Sequence, residues 1–312
     1  MNLTAPIFQD ADKAREHLEK TRWPHGPICP HCGVVDEATY VGGKAARKGV
    51  YQCNACREQF SVTVGTVFES SKVPLNKWLL ATYLMSSSKK GISAHQLHRT
   101  LGVTYKTAWF MAHRIREAMN PAAPTPVGGE GKIVEADETY VGGKESNKHR
   151  NKRGAKMDVF GGKQAVLSLV ERGGAVRSFH VPRVTSKTLR PVITKHVDRA
   201  SHLMTDGARF YRYMGREFTF HSSVDHSDGE YVRGIAHSNT VENYFSILKR
   251  GINGTFHHVS EAHLGRYLAE FDFRYSHRSG LGVDDTQRTQ EALRGIAGKR
   301  LTYRRSDESA HA

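Results

Sequence analysis

The spacing of apolar residues in the later part of the chain predicts a run of strands followed by helices. From Lys132 the stretches KIVEADETYVGG, QAVLSLVER and AVRSFHVPRV have strand patterns and are separated by glycine-containing turns. A helix is expected from Ser186, although Pro191 lies in its first turns, and the apolar run HLMTDGA predicts another strand. After a mixed region at 216–236, the pattern HSNTVENYFSILKRG predicts a helix that begins near Asn239.

The segment before these strands is predicted to be helical and to contain a helix-turn-helix. Residues 74–88 open with Pro74 and are rich in apolar side chains, as in a buried helix. Ser93 and Thr104 are each placed to cap a helix, and Gly102 supplies the turn between the two. The second helix of such a motif enters the DNA major groove. A purely structural pair of helices would have the same spacing, so both interpretations stay open.

If this motif binds DNA, different parts of its second helix contact different parts of the duplex. The polar start of the helix would face the bases, and the basic residues farther along would meet phosphates. The residues concerned are Tyr105, Lys106 and Thr107 for the bases, and Arg114 and Arg116 for the phosphates.

Composition along the chain predicts where its domains begin and end. The stretch NPAAPTPVGGEG is rich in proline and glycine and is typical of a linker. The predicted segments are a helical N-terminus at 1–24, a zinc ribbon at 25–66, a helix-turn-helix region at 72–120, a linker at 121–131, a large domain at 132–290 and a tail at 291–312.

The charge of the chain favours a nucleic-acid partner. The 312 residues include 46 Lys and Arg against 31 Asp and Glu, which gives a formal net charge of +15. Basic residues displace the counterions condensed on a phosphate backbone, although charge can also simply keep a protein in solution. No apolar run approaches the length of a membrane span, and the first residues lack a signal-peptide pattern, so a cytoplasmic protein without a membrane partner is expected.

Four cysteines form two pairs, and their spacing predicts a zinc site. Cys29 and Cys32 make one CxxC motif, Cys53 and Cys56 make the second, and twenty residues separate the pairs. Four thiolates in this arrangement can bind one structural Zn²⁺ tetrahedrally. A pair of redox-active CxxC motifs is the alternative, although such motifs usually occur singly and in a βαβ context.

Three acidic residues are candidates for a site in the large domain. Asp137 lies on the first strand of the large domain, Asp206 ends the later short strand, and Glu242 lies in the first turn of the helix near Asn239. Glu135 and Glu138 flank Asp137. Because side chains alternate along a strand, both are expected to point away from the face that Asp137 uses.

This order of elements and acids resembles the ribonuclease H-like fold of DDE transposases and retroviral integrases. Between Asp206 and Glu242 lie 35 residues, a spacing common in that superfamily. The stretches HSNTVENYFSILKRGINGTFHHVS and HLGRYLAEFDFRYSHR resemble the conserved end of bacterial insertion-sequence transposases of the ISXO-like group. That group also carries a zinc ribbon before its catalytic domain. The expected fold class is therefore a multidomain α+β protein with a small zinc ribbon, a helix-turn-helix region and a ribonuclease H-like α/β catalytic domain.

The resemblance implies a metal-dependent DNA reaction. Asp137, Asp206 and Glu242 would hold two Mg²⁺ or Mn²⁺ ions, which assist cleavage at the ends of the element and transfer of the freed 3′-hydroxyl into target DNA. Asn239 is a further candidate at the third position, because members of the group vary between Asn and Glu there. Lys249 matches the basic residue that follows the acid, and is expected to contact a phosphate.

The remaining expectations concern DNA and its assembly. The insert at 143–163 carries seven Lys and Arg against two acids, and is expected to be an exposed loop that can hold DNA near Asp137. Because two element ends must be brought together, a homodimer or higher oligomer on DNA is expected. Two alternatives to a transposase remain: a DNA-binding transcriptional regulator with a decayed catalytic core, and a ribonuclease H-like nuclease without strand transfer.

Overall fold

The structure divides into two compact units. The computed structural model describes residues 2–43, 47–143, 163–211, 213–224, 230 and 232–302. The first unit comprises Met1–Ser88, Ile92–Pro121 and Asp284–Ala312, and the second comprises Lys89–Gly91 and Ala122–Val283. Among the described residues, no helix has the length and apolar character needed to cross a membrane.

Both units contain helices and strands. The helices are α1 (Pro6–Gln9), α2 (Ala11–Arg22), α3 (Leu75–Ser87), α4 (Ala94–Leu101), α5 (Tyr105–Met119), α6 (Ser186–His196), α7 (Asn239–Gly251), α8 (Glu261–Ser276) and α9 (Asp285–Arg294). The strands are β1 (Ala38–Tyr40), β2 (Tyr51–Cys53), β3 (Gln59–Phe60), β4 (Ile133–Val141), β5 (Gln164–Glu171), β6 (Val176–Val181), β7 (His202–Asp206) and β8 (Phe220–Val224).

A small antiparallel sheet forms the predicted ribbon. Strand β2 pairs with both β1 and β3, and the aromatic rings of Trp23, Tyr51 and Phe60 pack together beside it. The third strand ends at Phe60, whereas the apolar alternation through Val62 and Val64 favours a longer one. In the structure those two residues lie in turns, so the alternation there marks inward packing rather than a strand.

The two predicted helix caps and the turn between them are confirmed. The Ser93 hydroxyl accepts from the amide of Gln96 at 3.1 Å, and the Thr104 hydroxyl accepts from the amide of Thr107 at 3.2 Å. Gly102 ends α4 with a φ of 60°, a left-handed conformation that glycine adopts without a steric penalty. Helices α4 and α5 therefore form the helix–turn–helix arrangement that the sequence predicts.

The chain returns to the first unit after Val283, which differs from the boundaries taken from the sequence. Helix α9 packs against α3, α2 and α5, and Ala297 forms a bridge with Thr66. Residues from Asp284 onward thus belong to the first unit, whereas the sequence assigned residues up to 290 to the large domain and a free tail after them. The stretch called a linker, 121–131, likewise contains Val127, which is buried and pairs with Val197 in the second unit.

The second unit contains a mixed sheet in the order β6-β5-β4-β7-β8 within the described residues. Strands β5 and β6 run antiparallel to their neighbours, and β7 runs parallel to both β4 and β8. This is the α/β arrangement expected of a ribonuclease H-like domain. Strand β8 falls in the region that the sequence left unassigned.

Helices cover both faces of this sheet, which explains why its central strands are apolar throughout. On β5, Leu167 packs in the cluster that contains Leu189 of α6, and its neighbour Val166 packs in the cluster that contains Val241 of α7. A strand buried on both faces loses the alternation of a half-exposed strand. The sheet is thereby fixed between two apolar layers, and its strand ends stay open for polar side chains.

Candidate active site and metal centres

The four cysteines converge in the geometry that a zinc ion requires. Sγ of Cys29 lies 3.7 Å from Sγ of Cys56, and Sγ of Cys32 lies 3.6 Å from Sγ of Cys53. Ligands about 2.3 Å from a tetrahedral zinc are about 3.8 Å apart, whereas a disulfide needs about 2.05 Å. The amide of Cys56 donates to Sγ of Cys53, and this bond lowers the pKa of the Cys53 thiol to about 7. All four predicted ligands are therefore together, and the donor set fits one Zn²⁺.

The parallel pairing of β4 with β7 brings two of the predicted acids together. Ala136 is opposite Thr205, so the next residues along the two parallel strands, Asp137 and Asp206, are neighbours. Carboxylate oxygens of Asp137, Glu138 and Asp206 all lie within 4.8 Å of one another. Three carboxylates this close form a site for a hard divalent cation.

The position of Glu138 corrects the sequence interpretation. Strand alternation predicts that this side chain points away from Asp137, yet its carboxylate belongs to the same cluster. Oη of Tyr211 donates to Oε2 of Glu138 at 2.6 Å and holds it there. Alternation determines the direction of Cβ only, and the two further carbons of a glutamate let its carboxylate reach the cluster. Glu135 lies two residues before Asp137, so the same alternation puts it on the face of Asp137, and the expectation that it points away is also wrong.

Burial and mutual repulsion make this cluster hold protons near neutral pH. Burial, followed by the charge of Glu138, raises the pKa of Asp137 to about 8. Burial also raises the pKa of Glu138 to about 7, against the opposing effect of the Tyr211 hydrogen bond. A bound divalent cation would remove this repulsion, so the residues present fit a metal site.

Glu242 lies beside this cluster rather than inside it. Its side chain is exposed in the first turn of α7, where Oγ of Ser238 donates to Oε1 at 2.9 Å. Its negative charge is close enough to contribute to the raised pKa of Asp137. Asn239 is exposed three residues earlier, and its backbone amide donates to Nδ1 of His237 at 3.4 Å. The structure thus brings the third predicted acid into the neighbourhood of the first two.

The structure separates the proposed DNA-contacting residues of α5 into two groups. Tyr105 is 44% exposed and stacks on His95, and Lys106 is exposed beside it. The hydroxyl of Thr107 lies 2.9 Å from that of Thr104, within the helix cap.

Arg114 and Arg116 occupy a different environment. Arg116 is 2% exposed, and buried Arg114 donates to the backbone carbonyls of Glu69 at 2.9 Å and Leu301 at 3.1 Å. The expectation that these two arginines meet phosphates is therefore wrong for this fold. This part of α5 is buried on every side, because each residue from Met111 to Arg116 is buried, so neither arginine faces solvent as the sequence interpretation assumed.

Lys249 lies near the C-terminal end of β4. It is exposed in the last turn of α7 and lines a cleft of about 240 Å³ with Tyr140, Lys163 and Asn253. Most of the basic insert at 143–163 falls outside the described residues.

Together, the mixed sheet, the carboxylates on its interior strands and the four-cysteine ribbon define a ribonuclease H-like protein with two candidate metal sites. Comparison with known proteins agrees with this class. Residues 128–276 match the ISXO2-like transposase domain, and residues 9–59 match the transposase zinc-ribbon domain. The chain belongs to the ISXO2-like transposase family, as the sequence resemblance predicts.

Two individual proteins illustrate the range of similarity. An uncharacterized protein in the transposable element ISH50 of Halobacterium salinarum is 31% identical over 279 residues, which cover 86% of this chain and 91% of that protein. A chain in the cryo-EM structure of the simian T-cell lymphotropic virus intasome with PP2A regulatory subunit B56 gamma is 19% identical, with a TM-score of 0.29. The match covers 60% of this chain and 66% of that one, and a TM-score this low does not establish a shared fold.

Proposed function

We propose that this protein cleaves DNA at the ends of an insertion sequence and transfers those ends into target DNA. The observation that carries the proposal is the convergence of Asp137 and Asp206 on the adjacent interior strands β4 and β7, with Glu242 on the helix beside them, in a chain of a transposase family. Asp137, Asp206 and Glu242 are the proposed ligands of two Mg²⁺ or Mn²⁺ ions, and Glu138 lies within the same cluster. Bound divalent cations would neutralise the phosphate, activate the attacking oxygen and stabilise the leaving oxygen.

The residues around the cluster prepare it for a phosphodiester. Its partial burial lowers the local dielectric and strengthens every charge interaction there. The same burial keeps protons on the carboxylates at neutral pH, so cation binding must release protons. Lys249, exposed on the helix of Glu242, offers a positive charge for a phosphate of the bound strand.

DNA recognition is proposed to lie in the first unit. Tyr105 and Lys106 stand exposed at the start of the second helix of the helix-turn-helix, where such motifs read base edges. The zinc ribbon would stabilise its own fold, since a structural zinc site contributes folding free energy. A protein with this activity needs access to genomic DNA and two element ends at once, so we propose a cytoplasmic location and a dimer or higher oligomer on DNA.

A cleavage assay tests the proposal. The substrate is DNA that contains the sequences flanking the gene, labelled on each strand and incubated with Mg²⁺. Wild-type protein is expected to cut at the element ends, and Asp137→Asn is expected to bind the same DNA without cutting it. Asp198→Asn is the matched control, because Asp198 is an exposed residue of the same unit.

Each outcome of this assay favours one function. Cutting that depends on Asp137 supports the proposal. Binding without cutting by both wild type and Asp137→Asn would contradict it and would favour a transcriptional regulator. Cutting that is unaffected by Asp137→Asn would place the reaction elsewhere in the chain.

A further inference from the structure

Glu135 is a fully buried carboxylate two residues before Asp137 on β4. Its side chain is 0% exposed, although a charged group is costly to bury without partners. Four donors surround its two oxygens. They are the amide of Thr240 at 2.8 Å, the hydroxyl of Thr240 at 2.9 Å, the amide of Val241 at 2.8 Å and Nε of Arg172 at 2.5 Å.

Three of these donors belong to the first turn of α7, the helix that carries Glu242. The first amides of a helix lack partners within the helix, and a side chain just before them usually caps them. Here Ser238 occupies the cap position but makes no side-chain bond to those amides. Its hydroxyl donates to Glu242 at 2.9 Å instead. Glu135 therefore caps α7 from a different element, and Ser238 is available to orient Glu242.

Arg172 extends this arrangement to the segment that precedes the helix. Its Nη1 donates to the carbonyl of Ile235 at 2.9 Å, and its Nη2 donates to the carbonyl of His237 at 2.9 Å. Nη2 also lies 3.0 Å from Nδ1 of His237. Because a guanidinium can only donate, Nδ1 is the acceptor in this contact, and its 3.3 Å separation from Oε1 of Glu135 is not counted among the hydrogen bonds of that carboxylate.

We propose that Glu135 is a positioning residue, which sets the place of Glu242 relative to Asp137 by docking the start of α7 onto β4. This rests on the proposed function of the acidic cluster. A buried ion pair is seldom more stabilising than apolar residues of the same volume. The hydrogen bonds of this carboxylate instead fix the orientation of the first turn of α7 and its position along β4. Glu242 directly follows Val241, whose backbone amide is bonded to Glu135.

Cation affinity without DNA tests this role. Mn²⁺ is titrated calorimetrically into zinc-loaded wild type, Glu135→Gln, Glu242→Gln and the double variant. Glu217→Gln is the matched control, because Glu217 forms surface ion pairs with Arg190 and Arg199 in the same unit. Loss of a residue that orients a metal ligand commonly costs roughly tenfold to a hundredfold in affinity. We expect a loss of that size for Glu135→Gln and none for the control.

The double variant distinguishes positioning from general stabilisation. If Glu135 acts through Glu242, the double variant binds Mn²⁺ no more weakly than the weaker single variant. Losses that multiply in the double variant would overturn the proposal, as would wild-type affinity in Glu135→Gln. Absence of DNA cleavage by wild type would contradict the proposed function and leave these titrations to decide the role of Glu135.

Amide hydrogen exchange gives a second readout that needs no metal. Exchange at Thr240 and Val241 is expected to be faster in Glu135→Gln and unchanged in Glu217→Gln, and unchanged exchange in Glu135→Gln would overturn the docking. If Glu135→Gln fails to fold, Thr240→Val and Thr240→Ser decide instead. The valine removes one donor to Glu135 and the serine keeps it, so only the valine variant should lose Mn²⁺ affinity; equal affinities would contradict the proposal.

Discussion

Tyr211 controls the ionisation of a carboxylate at the candidate active site. The tyrosine is buried, and its hydroxyl donates to Glu138 at 2.6 Å. Burial raises the pKa of Glu138 to about 7, and this hydrogen bond opposes that rise. The hydroxyl therefore keeps more of the carboxylate ionised at neutral pH than burial alone would allow.

Removing this hydroxyl should make cation binding more dependent on pH. In Tyr211→Phe the pKa of Glu138 rises further, so a cation must displace a proton that wild type has partly lost. We expect Mn²⁺ affinity to fall by about tenfold near pH 6.5 and to recover above pH 8.5, where the carboxylate ionises in both proteins. Calorimetric titration at both pH values measures this. Tyr213→Phe, at an exposed tyrosine, is the control, and a loss of equal size at both pH values would contradict the explanation.

The candidate site was only partly predictable at the level of single residues. Asp137 and Asp206 could be found because each belongs to an apolar strand pattern, Asp137 in its interior and Asp206 at its end. Glu138 could not, because alternation describes Cβ and says nothing of where a longer side chain places its carboxylate. Arg114 and Arg116 were placed wrongly because a buried arginine that satisfies backbone carbonyls has the same sequence signal as an exposed one.

Helix α5 is exposed at its first residues and buried farther along. Arg114→Ala removes a buried guanidinium that serves the carbonyls of Glu69 and Leu301, so it should cost about 1–3 kcal/mol in the free energy of unfolding. Lys106→Ala should leave that free energy unchanged and weaken DNA binding, with a smaller salt dependence. Urea unfolding followed by tryptophan fluorescence and DNA titrations at two salt concentrations measure both effects. Weakened stability in Lys106→Ala, or none in Arg114→Ala, would contradict this division.

The ribbon should contain one zinc ion per chain. Four thiols at tetrahedral spacing predict this stoichiometry by elemental analysis of protein purified without chelator. Cys53→Ser should lower the zinc content and the thermal stability of the first unit, because the metal contributes to folding. A zinc content near zero in folded wild-type protein would contradict the assignment.

The sequence predicts elements whose formation depends on nearby residues, but it does not predict elements whose formation depends on residues far away in the chain. The caps Ser93 and Thr104 are set by chemistry within one turn, and the structure has them where the sequence predicts. Strand β8 has the sequence FHSSV, whose polar residues do not alternate with apolar ones, and it forms because β7 offers a pairing edge. A pairing strand elsewhere in the chain cannot be recognised from the sequence of β8 itself.

At the scale of the whole molecule, the chain crosses from the first unit to the second and then returns. The returning segment supplies helix α9, the carbonyl of Leu301 that Arg114 uses, and Lys299, which donates to the carbonyls of Ala118 and Asn120 at the end of α5. The sequence could not reveal this return, because no local pattern reports which unit a helix joins.

Truncation tests the contribution of the returning segment. A chain that ends at Val283 lacks α9 and these three hydrogen bonds, so the first unit should unfold at a markedly lower temperature. A chain that ends at Thr302 keeps every described contact of the segment and is the control. Tryptophan fluorescence reports on the first unit, which contains Trp23, Trp78 and Trp109. Equal melting temperatures for the two truncated chains would contradict this role.

Strand transfer at the acidic cluster is the step that distinguishes the proposed transposase from a nuclease or a regulator. Its most direct test incubates a pre-cut element end, carrying a labelled 3′-hydroxyl strand, with supercoiled plasmid, Mn²⁺ and either wild-type protein or Asp206→Asn. We expect labelled strands joined to plasmid with wild type and none with Asp206→Asn, although both bind the end. Binding by wild type without any joined product would contradict strand transfer by this protein, and plasmid nicking in its place would favour a nuclease without strand transfer.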